Sequence, residues 1–182
     1  MGLRKQVKKQ EASDESVQAL LFRIGMEEYA LEIGSLVEVI RPFKITSLPR
    51  MPEFVEGVIN LRGVIIPAVD MGRRFGLVGS GTAQRTARMV ITKGAIAATP
   101  GRKGQGLLAL VVDGVQDVIV IPKKQIEPAP EAARGRNADF IAGMGKVGER
   151  LVIFLDIDRI LSTEERTALE EAGKEEPEQA DR

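Results

Sequence analysis

Gly143-Met144-Gly145-Lys146-Val147-Gly148 spells G-x-G-x-x-G, a pattern that lets a backbone approach a pyrophosphate when a strand precedes it and a helix opens at its end. Here only Glu149 and Arg150 separate the motif from an apolar strand, so a hairpin turn is the better reading. Gly101-Arg102-Lys103-Gly104-Gln105-Gly106 is a basic glycine loop that could in principle cradle a phosphate. It lacks the Walker spacing and leads into a strand, so no helix N-terminus supplies aligned amides, and it reads as a flexible loop. Asp156 and Asp158 could hold a hard cation, but such sites need more oxygen ligands, and Asp156 is better placed to cap a helical turn. The six serines, at 13, 16, 35, 47, 80 and 162, lie in neither a G-x-S-x-G elbow nor an S-x-x-K motif. Histidine and cysteine are absent, which removes imidazole bases, thiolate nucleophiles, disulfides and Cys/His zinc sites. The inventory predicts a binding protein with no catalysis, no cofactor and no metal.

The wider composition agrees. The chain has 182 residues, enough for one domain, and is 43% hydrophobic and 29% charged. Lys plus Arg and Asp plus Glu are balanced at 26 each, but unevenly placed. Residues 164–182 hold eight acids against three bases, while residues 17–163 hold nineteen bases against fifteen acids, a formal +4. That is too mild for a nucleic-acid footprint, and one Tyr with no Trp gives few stacking platforms. Residues 1–16 are polar and lack the apolar core of a secretory signal, and no apolar run is long enough to span a bilayer. Both ends read as solvated tails, with boundaries at 1–16 and 164–182 around a body of 17–163.

The elements that must position any site are mostly short strands. Candidates are Leu20–Ile24 and Tyr29–Ile33 as a hairpin, Leu36–Ile40, Val64–Val69, Arg88–Thr92, Leu107–Val112, Val115–Ile121 and Leu151–Leu155. Pro67 inside an apolar run predicts an edge or bulged strand. Helices are expected to be few: Pro52–Glu56 stopped by Gly57, a turn capped by Asp70 over Met71–Phe75, and a final helix from the Ser162-Thr163-Glu164-Glu165 capping box to Gly173.

A repeat runs through these strands. Leu20–Gly25 aligns with Met89–Gly94 at an offset of 69. Ala30–Ile33 and Glu38–Ile40 align with Ala109–Val112 and Asp117–Ile119 at 79, and Phe54–Gly57 and Ile66–Asp70 with Phe140–Gly143 and Val152–Asp156 at 86. The order is preserved, which suggests two similar β units whose apolar faces need each other, as small barrels or a sandwich.

One stretch remains, Glu56-Gly57-Val58-Ile59-Asn60-Leu61-Arg62-Gly63-Val64-Ile65-Ile66-Pro67-Ala68-Val69-Asp70. Asn60 and Gly63 mark a turn with Arg62 on it. Composition alone leaves two readings: a solvated hairpin arginine, or a rigid donor fork beside exposed Val and Ile, the make-up of an interface hot spot.

From Phe54 to Asp70 the sequence resembles the CheW family, adaptor proteins of bacterial chemosensory systems. Glu27-Glu28-Tyr29, Val111-Val112-Asp113-Gly114-Val115 and Leu151-Val152-Ile153-Phe154-Leu155-Asp156 add matches, and the similarity spans about Leu20 to Leu161. The resemblance implies an all-β fold of two five-stranded SH3-like barrels packed together, with short helices and a C-terminal helix. It also implies a non-catalytic adaptor in the cytoplasm, at membrane-attached chemoreceptor arrays. Its partners would be the regulatory domain of a chemotaxis histidine kinase and the cytoplasmic tip of a methyl-accepting chemoreceptor, with no nucleic acid and no membrane insertion.

Carried over by position, Arg62 and Ile65 match partner-contact positions, Leu36 and Glu38 match positions in a receptor-facing groove, and Val118 in Gln116-Asp117-Val118 matches a further contact. Core packing is the alternative for the apolar three, since strand faces are not assignable here. Two departures stand out: a longer loop after Lys93, and a small Ala132 after Pro128-Ala129-Pro130-Glu131, where an apolar anchor could help a second kinase contact. The same adaptor role in a pilus-motility or second-messenger pathway is one alternative. A nucleic-acid-binding small barrel, drawing on the +4 body and Arg102-Lys103, is the remote one.

Overall fold

The computed structural model describes residues 15–77, 85–94, 106–131 and 138–172. The stretch from 95 to 105 with its basic glycine loop, Ala132, Gly173 and the outer parts of both tails lie outside the described residues. The strands are β1 (Ser16–Ile24), β2 (Glu27–Glu32), β3 (Leu36–Ile40), β4 (Val55–Leu61), β5 (Val64–Asp70), β6 (Arg88–Lys93), β7 (Leu107–Val112), β8 (Gly114–Pro122), β9 (Ile126–Glu127), β10 (Ile141–Val147) and β11 (Arg150–Leu155). Among the described residues, two α-helices join them, α1 (Met71–Arg74) and α2 (Thr163–Ala172). One sheet has the order β8-β1-β2-β11-β10-β9 and the other β3-β6-β7-β5-β4. Among the described residues no helix is long and apolar enough to cross a membrane.

The two sheets are built on one plan. Exchanging β1 with β6, β2 with β7, β3 with β8, β4 with β10 and β5 with β11 turns the first order into the second, leaving β9 over. Even β9 has a counterpart, because Thr46 bridges Val58 as Glu127 pairs with Met144. The repeat is therefore real, but its halves do not fold side by side. The hairpin β1–β2 is inserted between β8 and β11, and the hairpin β6–β7 between β3 and β5, so each sheet takes strands from both halves of the chain. Neither half can complete a sheet alone.

Register corrects the first offset. Leu21 pairs with Asp117 and Phe22 with Val115, while Ile91 pairs with Glu38 and Thr92 with Leu36. Leu21 thus corresponds to Ile91, an offset of 70 rather than 69. Because side chains alternate faces along a strand, the one-residue slip exchanges the two sides of β1. It went unseen because both faces are apolar. Leu20, Phe22, Ile24, Tyr29, Leu31, Val90, Leu108, Leu110 and Val112 fill a central core between the sheets, with Ile160, Leu161 and Leu169 from the C-terminal end. Ala19, Leu21, Ala30, Ile121, Val152 and Phe154 fill the inside of one sheet. Ile59, Leu61, Ile66, Ala68, Met89, Ile91, Ala109 and Val111 fill the inside of the other. Strands covered on both faces read as unbroken apolar runs, so their phase is hidden.

Two further expectations change. Pro52–Glu56 is not a helix: Val55 N donates to Pro52 O at 2.9 Å, one turn forms, and β4 starts at Val55. Burial of Val55, Gly57, Ile59 and Leu61 follows a period of two, which outweighs the proline signal. Pro67 is in an inner strand, not an edge, and the bulge lies in β4 between Val55 and Gly57. Proline is accommodated because its partner Val58 turns both N–H and C=O to Thr46, at 2.8 Å each, and the parallel ladder with β7 begins only at Ala68. The capping signals hold: Asp70 accepts from Arg73 N at 3.0 Å and Asp156 from Asp158 N at 3.0 Å. Ser162 and Glu165 bond reciprocally, N to Oε2 at 2.7 Å and N to Oγ at 3.2 Å. Gly143 and Gly145 lie in β10, and the turn to β11 falls at Gly148-Glu149, as a hairpin.

Candidate partner-binding surface

The β4–β5 turn is a tight two-residue hairpin. Leu61 pairs with Val64, and both residues between have positive φ, +53° at Arg62 and +83° at Gly63. Asn60 Oδ1 accepts from Gly63 N at 2.9 Å and fixes the bend. Such turns normally carry Asn, Asp or Gly at the first of these positions, since a side chain there crowds the backbone. The matching turn of the other sheet uses Gly148, at φ +61°. An arginine at Arg62 is therefore costly to the backbone, and the fold does not demand it.

Its side chain spans the seam of the five-stranded sheet. Arg62 Nη1 donates to Glu38 Oε1 at 2.7 Å and Nη2 to Glu38 Oε2 at 3.2 Å. Glu38 is on β3 and Arg62 at the tip of β4, the two end strands of that sheet, so the fork clasps its open edges. The hydrogen bond from Arg62 holds the Glu38 carboxyl below its ordinary pKa, helped by the guanidinium charge, and Glu38 in turn raises that of Arg62. Arg62 remains 72% exposed, and two bonds leave three of its five N–H donors for a partner. The matching positions of the other sheet are Asp117 and Gly148, which cannot form this clasp.

Ile65, three residues on, points outward at 49% exposure. Ile65 thus presents an exposed apolar side chain on the strand that follows the Arg62 turn. Val118 is equally exposed but belongs to the other sheet, on its end strand β8, where Val120 is 63% exposed. Leu36 differs: it is half-buried and packs against the central core, so its first role is structural. The structure thus pairs Arg62 with Glu38, leaves Ile65 exposed on the strand after the Arg62 turn, and puts Val118 on the other sheet. Val37 and Phe43, exposed on and just after β3, were not expected as candidates. No local signal marks them, because half-exposure of an apolar side chain in this fold depends on which strand lies across from it.

Known proteins resemble this arrangement throughout. Residues 18–165 match the CheW family, described as a CheW-like domain. The chain is 35% identical over 155 residues to the chemotaxis protein CheW of Klebsiella aerogenes, covering 85% of this chain and 87% of that protein. It is 32% identical over 153 residues to chemotaxis protein CheW of Helicobacter pylori, covering 84% and 86%. The crystal structure of the scaffolding protein TtCheW from Thermoanaerobacter tengcongensis superposes with a TM-score of 0.70 at 31% identity, covering 83% of this chain and 96% of that one. Family match, relatives and paired-sheet fold agree: this chain belongs to the CheW family.

Proposed function

We propose that the chain is a non-catalytic adaptor coupling the cytoplasmic tips of methyl-accepting chemoreceptors to the regulatory domain of a chemotaxis histidine kinase, at arrays on the inner face of the membrane. The observation that carries this reading is Arg62: a positive-φ arginine, clasped to Glu38 yet largely exposed, three residues before exposed Ile65. Local strain at a rigid, pre-oriented donor is the pattern of an interface anchor. Val118 on β8 offers a second apolar face on the opposite sheet, as a bridge between two partners needs. Receptor signals then reach the kinase as a coupling free energy between two binding events.

Titration of the chain with a kinase regulatory domain, and separately with a receptor-tip fragment, tests the reading. Saturable binding to each, with either weakened by Arg62→Glu, supports it. Binding to neither contradicts it.

A further inference from the structure

Arg41, Pro42, Arg85 and Arg88 line a cleft of about 370 Å³ at the end of the β3–β6 ladder. That ladder runs Leu36 to Thr92, Glu38 to Ile91, Val39 to Val90 and Ile40 to Met89, and Arg41 and Arg88 follow directly at its end, both lining the cleft. Like charges gathered in one cleft repel one another. Among the described residues none of the three arginines has a carboxylate partner. Arg88 Nη1 turns to the carbonyls of Ala87 at 2.7 Å and Thr86 at 3.2 Å, which fixes its guanidinium without neutralising it.

The fold does not ask for these charges. In the other sheet the rung matching Arg41 and Arg88 pairs Gln18 with Val120, both neutral. The arginines therefore gather like charge at a position where the corresponding part of the other sheet is neutral. A ligand that supplies the missing negative charge explains the cluster. Guanidinium forks match phosphoryl oxygens two at a time, and one phosphoryl group carries about −1.5 to −2 at neutral pH. Three arginines thus suit a pair of phosphoryl groups, and the volume falls at the low end of the roughly 300–1,000 Å³ range of small-molecule sites.

We propose that this cleft binds a small diphosphoryl ligand, either free pyrophosphate or the diphosphate of a nucleotide. Arg41 lies three residues beyond Glu38, about 10 Å along the strand direction, so the bound ligand adjoins the surface assigned to partner contact.

The test uses the whole chain at low salt, with pyrophosphate, ADP and inorganic phosphate as probes, read by calorimetry and by thermal unfolding. Saturable binding of pyrophosphate or ADP that raises the melting temperature is expected, with Arg41→Gln and Arg88→Gln each weakening it by roughly 10- to 100-fold. Without ligand, Arg41→Gln should melt at or above the wild-type temperature, because a repulsion is removed. Arg85→Gln, outside the ladder, provides a second variant should Arg41→Gln unfold. Tighter binding of ADP than of pyrophosphate assigns the source as a nucleotide, and equal binding assigns the diphosphate alone. The proposal is overturned if neither probe saturates at millimolar concentration, if the arginine variants bind unchanged, or if inorganic phosphate binds as well as pyrophosphate.

Discussion

Arg62 at the tip of β4 and Glu38 on β3 lie 24 residues apart and meet through two hydrogen bonds, of 2.7 and 3.2 Å, across the edges of one sheet. The clasp and the strained turn make opposite demands on a substitution. Arg62→Gly relieves the positive φ and should melt at or above the wild-type temperature. Arg62→Glu should leave the fold intact at a modest cost in stability, because it replaces an exposed ion pair with a like charge facing Glu38. Both should weaken partner binding, Arg62→Glu by about thirtyfold, as expected for loss of an interface anchor. Circular dichroism melts and titration calorimetry on the same samples separate the two effects. Partner affinity unchanged in both variants would remove Arg62 from the interface.

The apolar candidates should divide along burial. Ile65→Asp and Val118→Asp should change stability by no more than about 0.5 kcal/mol while weakening a partner tenfold or more. Leu36→Ala should cost about 1–2 kcal/mol in urea unfolding, because part of its side chain packs on the central core. A Leu36→Ala variant of wild-type stability would place that side chain outside the core.

Gly57 and Gly143 occupy matching bulges, and each passes close to the backbone of a third strand. A Cβ on Gly57, at φ +141°, would lie 2.0 Å from Thr46 O, and one on Gly143 would lie 2.8 Å from Glu127 O. Gly57→Ala is therefore expected to cost at least about 3 kcal/mol, and Gly143→Ala less. Denaturant midpoints of the two variants give the order directly.

Glu56 sits in the β4 bulge, half-buried near the buried carboxylate of Asp70. Burial pushes the Glu56 pKa up, the Asp70 charge adds to this, and Arg73 offsets part of it. The folded state holds this proton more tightly than the unfolded chain. The contribution to stability is thus complete below the ordinary carboxylate value and is lost as pH rises through the raised one. Glu56→Gln should melt higher than wild type at pH 7, with the gap closing towards pH 4. The matching bulge residue of the other sheet is Ala142, so the backbone does not need a carboxyl there. A gap that widens on acidification would contradict the assignment.

Arg74 joins the two halves of the repeat. Its guanidinium lies 4.6 Å from the ring centre of Phe54 and 5.2 Å from that of Phe140, the matching residues of the two halves. Its Nε donates to Ile160 O at 2.9 Å, and Nη2 reaches Glu165 at 3.4 Å, tying α1 to α2. Lysine keeps the charge but loses the planar fork, so Arg74→Lys should cost about 1–2 kcal/mol. Stability equal to wild type would show that the charge alone suffices.

Eight strands, the three caps and the repeat were legible in the sequence, because each rests on local spacing, whereas β9 and β10 were not and the start of β4 carried a helix signal. The sequence also placed Arg62 on its turn, since Asn60 and Gly63 are neighbours. What lay beyond it depended on partners far along the chain. The exchange of hairpins between sheets leaves no trace in spacing, and the slip from 70 to 69 was hidden by β1 being apolar on both faces. Pro67 reads as an edge or bulged strand because the Thr46 bridge that frees Val58 lies twelve residues from Val58 in the chain. The clasp of Arg62 by Glu38 was invisible for the same reason, so one was assigned to a groove and the other to a turn.

Co-elution in size-exclusion chromatography with multi-angle light scattering, using this chain, a kinase regulatory domain and a receptor-tip fragment, is the most direct measurement. One species containing all three is predicted, falling to free components when Arg62→Glu and Val118→Asp are combined. Mutually exclusive binding, in which adding receptor fragment displaces the kinase domain, would contradict an adaptor that bridges them.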